Sequence, residues 1–142
     1  MSDQPAQHPI QLAYLIDDEA FDQKMYQRII ARTHLVGETR SFLAADHALD
    51  HLRTHPEEAV DAIFLDINMP RMTGFEFLEE ATAELGPAFA KVCIVMLTTS
   101  LDPNDRARAE RFDVVKDFLN KPLTAADVQH VAELVRQNAP PA

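Results

Sequence analysis

Carboxylates, a hydroxyl and one lysine stand at the ends of apolar runs in this sequence. Asp17 and Asp18, with Glu19 behind them, close the run at residues 12–16. Asp66 closes the run at 62–65 and opens the stretch Asp66-Ile67-Asn68-Met69-Pro70. Thr98-Thr99-Ser100 follow the run at 92–97, and Lys121-Pro122 follow a weaker run at 116–119. Singly, each has an ordinary explanation. Adjacent acids suit a helix N-terminus, an Asp before a turn is a common turn former, and Lys-Pro is a common loop dipeptide. Brought together, they would do chemistry. Three carboxylates in one place repel and rise in pKa unless a cation intervenes. An all-oxygen ligand set with retained waters suits a hard dication such as Mg²⁺. Asp17, Asp18, Asp66, one dication and the Lys121 ammonium sum to zero formal charge, a balanced site able to hold an incoming phosphoryl group.

The elements that would gather these residues alternate along the chain. The runs at 12–16, 62–65 and 92–97 are short, continuous and bounded by polar residues, as strands buried on both faces should be. Residues 36–42 and 116–119 are weaker strands, expected mainly from where they fall. Between them lie helical stripes: Phe21, Met25 and Ile29; Ala45, Leu49 and Leu52; Phe75, Leu78 and Leu85; and Val128, Val131, Ala132 and Val135. A short fourth helix at about 103–112 would turn Ala107 and Phe112 inward, making five helices in all. Asp102 before Pro103, and Thr124 three residues ahead of Asp127, are the caps expected of helix starts. Regular β-α alternation implies a doubly wound α/β fold with a five-stranded parallel sheet. Such sheets bind ligands beyond the carboxyl ends of their strands, where the four polar groups lie.

Composition excludes several other functions. The chain has 142 residues, enough for one domain that folds without disulfides or a structural metal. Its three glycines, Gly37, Gly74 and Gly86, fit neither a dinucleotide fingerprint nor a P-loop. A net charge of −10 argues against a nucleic-acid partner. The single cysteine, Cys93, reads as a buried small residue. No apolar run approaches the length of a membrane span, and residues 1–9 lack the pattern of a signal peptide. A cytoplasmic protein is the expectation.

With these residues in place, the sequence resembles the receiver domain of two-component response regulators. The resemblance rests on Asp17-Asp18 after a hydrophobic strand, on Leu65-Asp66-Ile67-Asn68-Met69-Pro70 with Gly74 eight residues past Asp66, on Leu97-Thr98, and on Lys121-Pro122. It covers about residues 10–138 and implies the flavodoxin-like strand order 2-1-3-4-5. It implies that Asp66 accepts a phosphoryl group from a sensor histidine kinase or a histidine phosphotransfer protein. It implies Mg²⁺ bound by Asp18, Asp66 and the Asn68 backbone carbonyl, with Asp17 acting mainly through water. Lys121 and Thr98 would contact the phosphoryl oxygens, and the Lys121–Pro122 bond would be cis. Thr98 and Phe118 would form a switch that changes the surface of the fourth helix, fifth strand and fifth helix, a docking face for a downstream protein. Phe118 stands where the family often has tyrosine. Thr99 and Asn68 occupy positions that the family associates with dephosphorylation rate.

The expected organisation is a flexible segment at 1–9, a receiver at 10–138 and a tail at 139–142, a stand-alone regulator. Its output would be protein contact, onward phosphotransfer or a phosphate sink. Two readings from other classes stay open. A haloacid-dehalogenase-type phosphatase also uses a strand-end Asp, but Asp66-Ile67-Asn68 lacks its second acid. A degenerate receiver would serve only as a docking module. His47, His51 and His55 recur every four residues on the second helix, opposite Leu49 and Leu52, and read as a solvated polar face rather than a zinc or nickel site. Arg106, Arg108 and Arg111 form a basic cluster on the fourth helix, ordinary surface charge or a patch for an acidic partner.

Overall fold

The apolar runs at 12–16, 62–65 and 92–97 become the middle of one sheet. β1 (Ile10–Ile16), β3 (Ala62–Asp66) and β4 (Cys93–Thr98) are buried along almost their whole length. β2 (Val36–Phe42) and β5 (Val115–Asn120) are the edges of the order β2-β1-β3-β4-β5, with every pairing parallel. Their position explains their weak signal. An edge strand is covered on fewer sides, so its residues can be polar, and β2 carries Glu38, Thr39, Arg40 and Ser41. The structure is a computed structural model that describes residues 8–138. The expected tail at 139–142, and the expected N-terminal segment apart from residues 8 and 9, lie outside the described residues.

Alternation along the buried strands feeds two cores. Tyr14, Ile16, Ile63, Leu65, Ile94 and Met96 face α2 (Ala45–Thr54), α3 (Gly74–Leu85) and α5 (Pro103–Ala109). Ala13, Leu15, Ala62, Phe64, Val95 and Leu97 face α1 (Ala20–Thr33) and α6 (Ala125–Asn138). Cys93 lies in this second core, and burial pushes its thiol up to about 11.

Several details differ from the sequence expectation. A one-turn helix, α4 (Pro87–Ala90), follows Gly86 at φ 57°, so six helices stand among the described residues and the expected fourth and fifth are α5 and α6. Phe89 on α4 packs edge-on against Phe77, which is why the turn is retained. The fourth helix stops at Ala109, and Ala109 rather than the exposed Ala107 points inward. Phe112 lies beyond its end, half-buried and stacked near Phe75.

α1 is rotated from its expected face. Phe21 is 71% exposed and Met25 is 37% exposed, while Gln23, Tyr26 and Ile30 face inward. Nor is the histidine face fully solvated. His51 is half-buried, its Nε2 lies 2.9 Å from Glu58, and its ring packs against Tyr14 and Phe42. His47 and His55 are exposed as expected.

Candidate functional site

Parallel strands bring four distant segments to one edge. Asp17 is the residue after β1, Asp66 ends β3, Thr98 ends β4, and Lys121 follows β5. The register pairs Ile16 with Leu65, Asp66 with Leu97 and Thr98 with Asn120, so these residues sit side by side. The Lys121–Pro122 peptide bond is cis.

The Lys121 ammonium is the centre of the group. Its Nζ lies 2.9 Å from Asp17 Oδ2, 3.1 Å from Asp22 Oδ2 and 3.4 Å from Asp66 Oδ1. Burial works against the charged lysine, but the hydrogen bond to Asp17 and the charges of Asp66 and Asp17 outweigh it, holding its pKa above the ordinary value. Asp17 is almost wholly buried and heavily bonded. Its Oδ1 accepts from the Glu19 N–H at 2.9 Å, and its Oδ2 accepts from the Tyr26 hydroxyl at 2.7 Å as well as from Lys121. Burial, and then this bond to Asp17, push the Tyr26 phenol well above its usual range, so it remains a donor.

Asp66 is different in kind. Burial, then the nearby Asp17, and more weakly Asp18, push its carboxyl up to about 6 against the pull of Lys121. A carboxylate raised by desolvation and like charge is one that gains from an added cation. The oxygens of Asp17, Asp18 and Asp66 that could act as ligands all lie within 4.8 Å of one another. An all-oxygen cluster of this size fits one hard dication. Asn68 is exposed in the loop after β3, two residues past Asp66.

The loop is held from behind by Gly74. A Cβ there would come within 2.4 Å of the Asp66 carbonyl oxygen, and the Gly74 N–H donates to the Ile67 carbonyl at 2.8 Å. Thr73 and Glu76 form a reciprocal capping box that starts α3 at this point. Thr98 is fully buried, its hydroxyl oxygen accepting from the Ser100 N–H at 2.9 Å. Phe118 is half-buried at β5, with the Arg106 guanidinium 5.5 Å from its ring centre.

Three neighbours of the site escaped the sequence reading, all on α1. Asp22 contacts Lys121, and Tyr26 contacts Asp17. The Gln23 side-chain amide donates to the carbonyls of Leu15, Asp17 and Phe42 at 2.9–3.1 Å, tying together the ends of β1 and β2. Their signal was a helical stripe of polar residues at 23 and 26 that continues to Ile30.

Comparison with known proteins agrees with this geometry. The family model for the response regulator receiver domain matches residues 13–133. The two-component response regulator ORR1 of Oryza sativa subsp. japonica is 27% identical over 122 residues, covering 82% of this chain and 52% of that protein. This chain thus spans about half the length of that curated relative. The crystal structure of a two-component response regulator from Cytophaga hutchinsonii is similar with a TM-score of 0.85 and 32% identity, over 90% of this chain and 98% of that one. A response regulator receiver protein from Dyadobacter fermentans aligns with a TM-score of 0.78 and 27% identity, over 90% of this chain and 97% of that one.

Proposed function

The chain belongs to the response regulator receiver domain family, and on that premise we propose that Asp66 is the residue on which it accepts a phosphoryl group. A receiver is a phosphoacceptor signalling module of two-component systems rather than an enzyme, and it implies a histidine kinase partner. The observation that carries the assignment is the position of Asp66. It ends the central strand β3 with its carboxyl buried, 3.4 Å from the one ammonium of the site.

The transfer needs little covalent chemistry from the protein. An Asp66 carboxylate oxygen attacks phosphorus as the P–N bond of a phosphohistidine breaks. The departing imidazole keeps the bonding electron pair and carries its proton on the other nitrogen. Lys121, held by Asp17, presents positive charge where the phosphoryl oxygens arrive. The Thr98 hydroxyl oxygen accepts from Ser100, which leaves its own proton free to donate to a phosphoryl oxygen. Asp18, Asp66 and the Asn68 carbonyl would hold Mg²⁺, with Asp17 behind them through water. When bound, this ion would supply the charge that neutralises the carboxylate cluster.

Docking of the donor has a candidate surface beside the pocket. Phe21 and Met25 lie four residues apart on the exposed face of α1, the spacing that a helix presents to a helical partner. A histidine kinase or a phosphotransfer protein would seat there. Output would pass through α5, β5 and α6 to a downstream protein, or onward to a phosphotransfer protein. Among the described residues no helix is long and apolar enough to cross a membrane.

The test is intact mass after incubation with Mg²⁺ and a small phosphoramidate. A single phosphoryl adduct is expected on the wild type, lost in Asp66→Ala and lost on chelation of the metal. A wild-type protein that takes no adduct overturns the assignment.

A further inference from the structure

The ammonium of Lys121 has three N–H donors and faces three carboxylates at 2.9, 3.1 and 3.4 Å, with Asp66 the most distant. We propose that Asp22 is a positioning residue that restrains Lys121 and so weakens the site's hold on a phosphoryl group at Asp66. This inference rests on the phosphoacceptor reading of Asp66.

The two other anchors of Lys121 are unequal. Asp17 is 1% exposed and fixed by the Glu19 N–H and the Tyr26 hydroxyl, so its bond to Lys121 belongs to the frame of the site. Asp22 has a side chain 30% exposed, and among the described residues Lys121 is its only side-chain hydrogen-bond partner. It lies in the first turn of α1, five residues past Asp17.

A phosphoryl group on Asp66 places about two negative charges beyond the carboxyl and offers three new acceptor oxygens. Lys121 can turn a donor toward them most easily by releasing Asp22. The Asp22 carboxylate then remains as a further negative charge beside the phosphoryl group. Both effects have one sign: Asp22 competes with the phosphoryl group for the lysine and repels it.

For a cation the effect has the opposite sign. A carboxylate near the cluster attracts Mg²⁺ through space, so neutralising it cannot strengthen binding of Mg²⁺ alone. Stronger anion binding without stronger cation binding is a pattern that loosening of the fold does not produce.

The experiment uses beryllium fluoride, which forms an anionic phosphoryl-like adduct on a carboxylate. It is titrated in Mg²⁺ against the full chain as wild type, Asp22→Asn and Asp22→Glu, with Mg²⁺ titrated alone in parallel. Asp22→Asn is expected to bind beryllium fluoride about three- to tenfold more tightly and Mg²⁺ no more tightly. Asp22→Glu, which restores the charge, is expected to return to the wild-type affinity. An Asp22→Asn protein that binds beryllium fluoride equally or less tightly overturns the role of Asp22 and leaves that of Asp66 standing. A wild-type chain that takes neither beryllium fluoride nor the phosphoramidate adduct overturns the reading of Asp66, and this one with it.

Discussion

At the scale of single residues, the site is defined by what each carboxylate can do with its charge. Asp17 spends its oxygens on Glu19, Tyr26 and Lys121, whereas Asp66 is buried among like charges and is pushed up to about 6. A raised folded-state pKa means that the folded chain binds the proton more tightly than the unfolded chain. Without metal, stability is therefore greatest below about pH 4 as far as this group is concerned. It falls as pH rises from about 4 to about 6, the window between the unfolded and folded values. Asp66→Asn removes the penalty. In a metal chelator at pH 7.5 the variant should unfold at higher denaturant than wild type, by on the order of 2–3 kcal/mol, and the gain should vanish near pH 4. Urea melts at the two pH values would read this directly. A gain independent of pH would mean that the raised carboxyl is not Asp66. The same titration bears on the proposed function, because only the ionised carboxylate could attack phosphorus.

At the scale of elements, the sequence was most legible where burial is symmetric. β1, β3 and β4 are covered on both faces, so hydrophobicity alone marks them, and the strand-end residues Asp17, Asp66, Thr98 and Lys121 follow from those strands. α1 was misread for a physical reason. Its inner face carries Gln23 and Tyr26, which go inward to bond Asp17 and the carbonyls at the ends of β1 and β2. Its outer face carries Phe21 and Met25, so a stripe found by hydrophobicity points the wrong way. Asp22 was missed with them, since only the correct rotation of α1 brings it toward Lys121. The junction of β3 and α3 was legible only as a spacing, Gly74 eight residues after Asp66. The structure supplies the cause, a Cβ position 2.4 Å from the Asp66 carbonyl oxygen. Because the obstacle is backbone, it cannot yield by a rotamer change. Gly74→Ala should destabilise the fold by about 1–3 kcal/mol and slow phosphorylation by displacing Asp66. Thermal melts of this variant with rates of adduct formation would test this, and a wild-type melting point and rate would show that close approach at Gly74 is unimportant.

At the scale of the whole molecule, the proposed output requires one edge of the sheet to act on the surface formed by α5, β5 and α6. On the proposed assignment, phosphorylation would exchange one negative charge for about two at Asp66, and Thr98 is the hydroxyl on the neighbouring strand placed to answer it. Thr98 is fully buried, so any movement toward Asp66 leaves volume that another group must fill. Phe118 is the adjacent candidate. It is half-buried, packs at the edge of the core beneath α5, and is held from outside by Arg106, whose guanidinium lies over its ring. Its movement would therefore alter both the ring and the basic face of α5. Converting a 1:99 population to 99:1 takes roughly 5.5 kcal/mol, more than one hydroxyl contact supplies, so a bound partner should complete the shift. Thr98→Ala separates the two halves of this route. It should still take an adduct on Asp66, at a reduced rate, while α5 and β5 lose their response. Amide hydrogen exchange, compared with and without beryllium fluoride, should change over residues 103–120 in the wild type and stay unchanged there in Thr98→Ala. A variant that keeps the wild-type change in α5 and β5 would move the signal off Thr98 and onto the loop after β3, the other path from Asp66 to the surface.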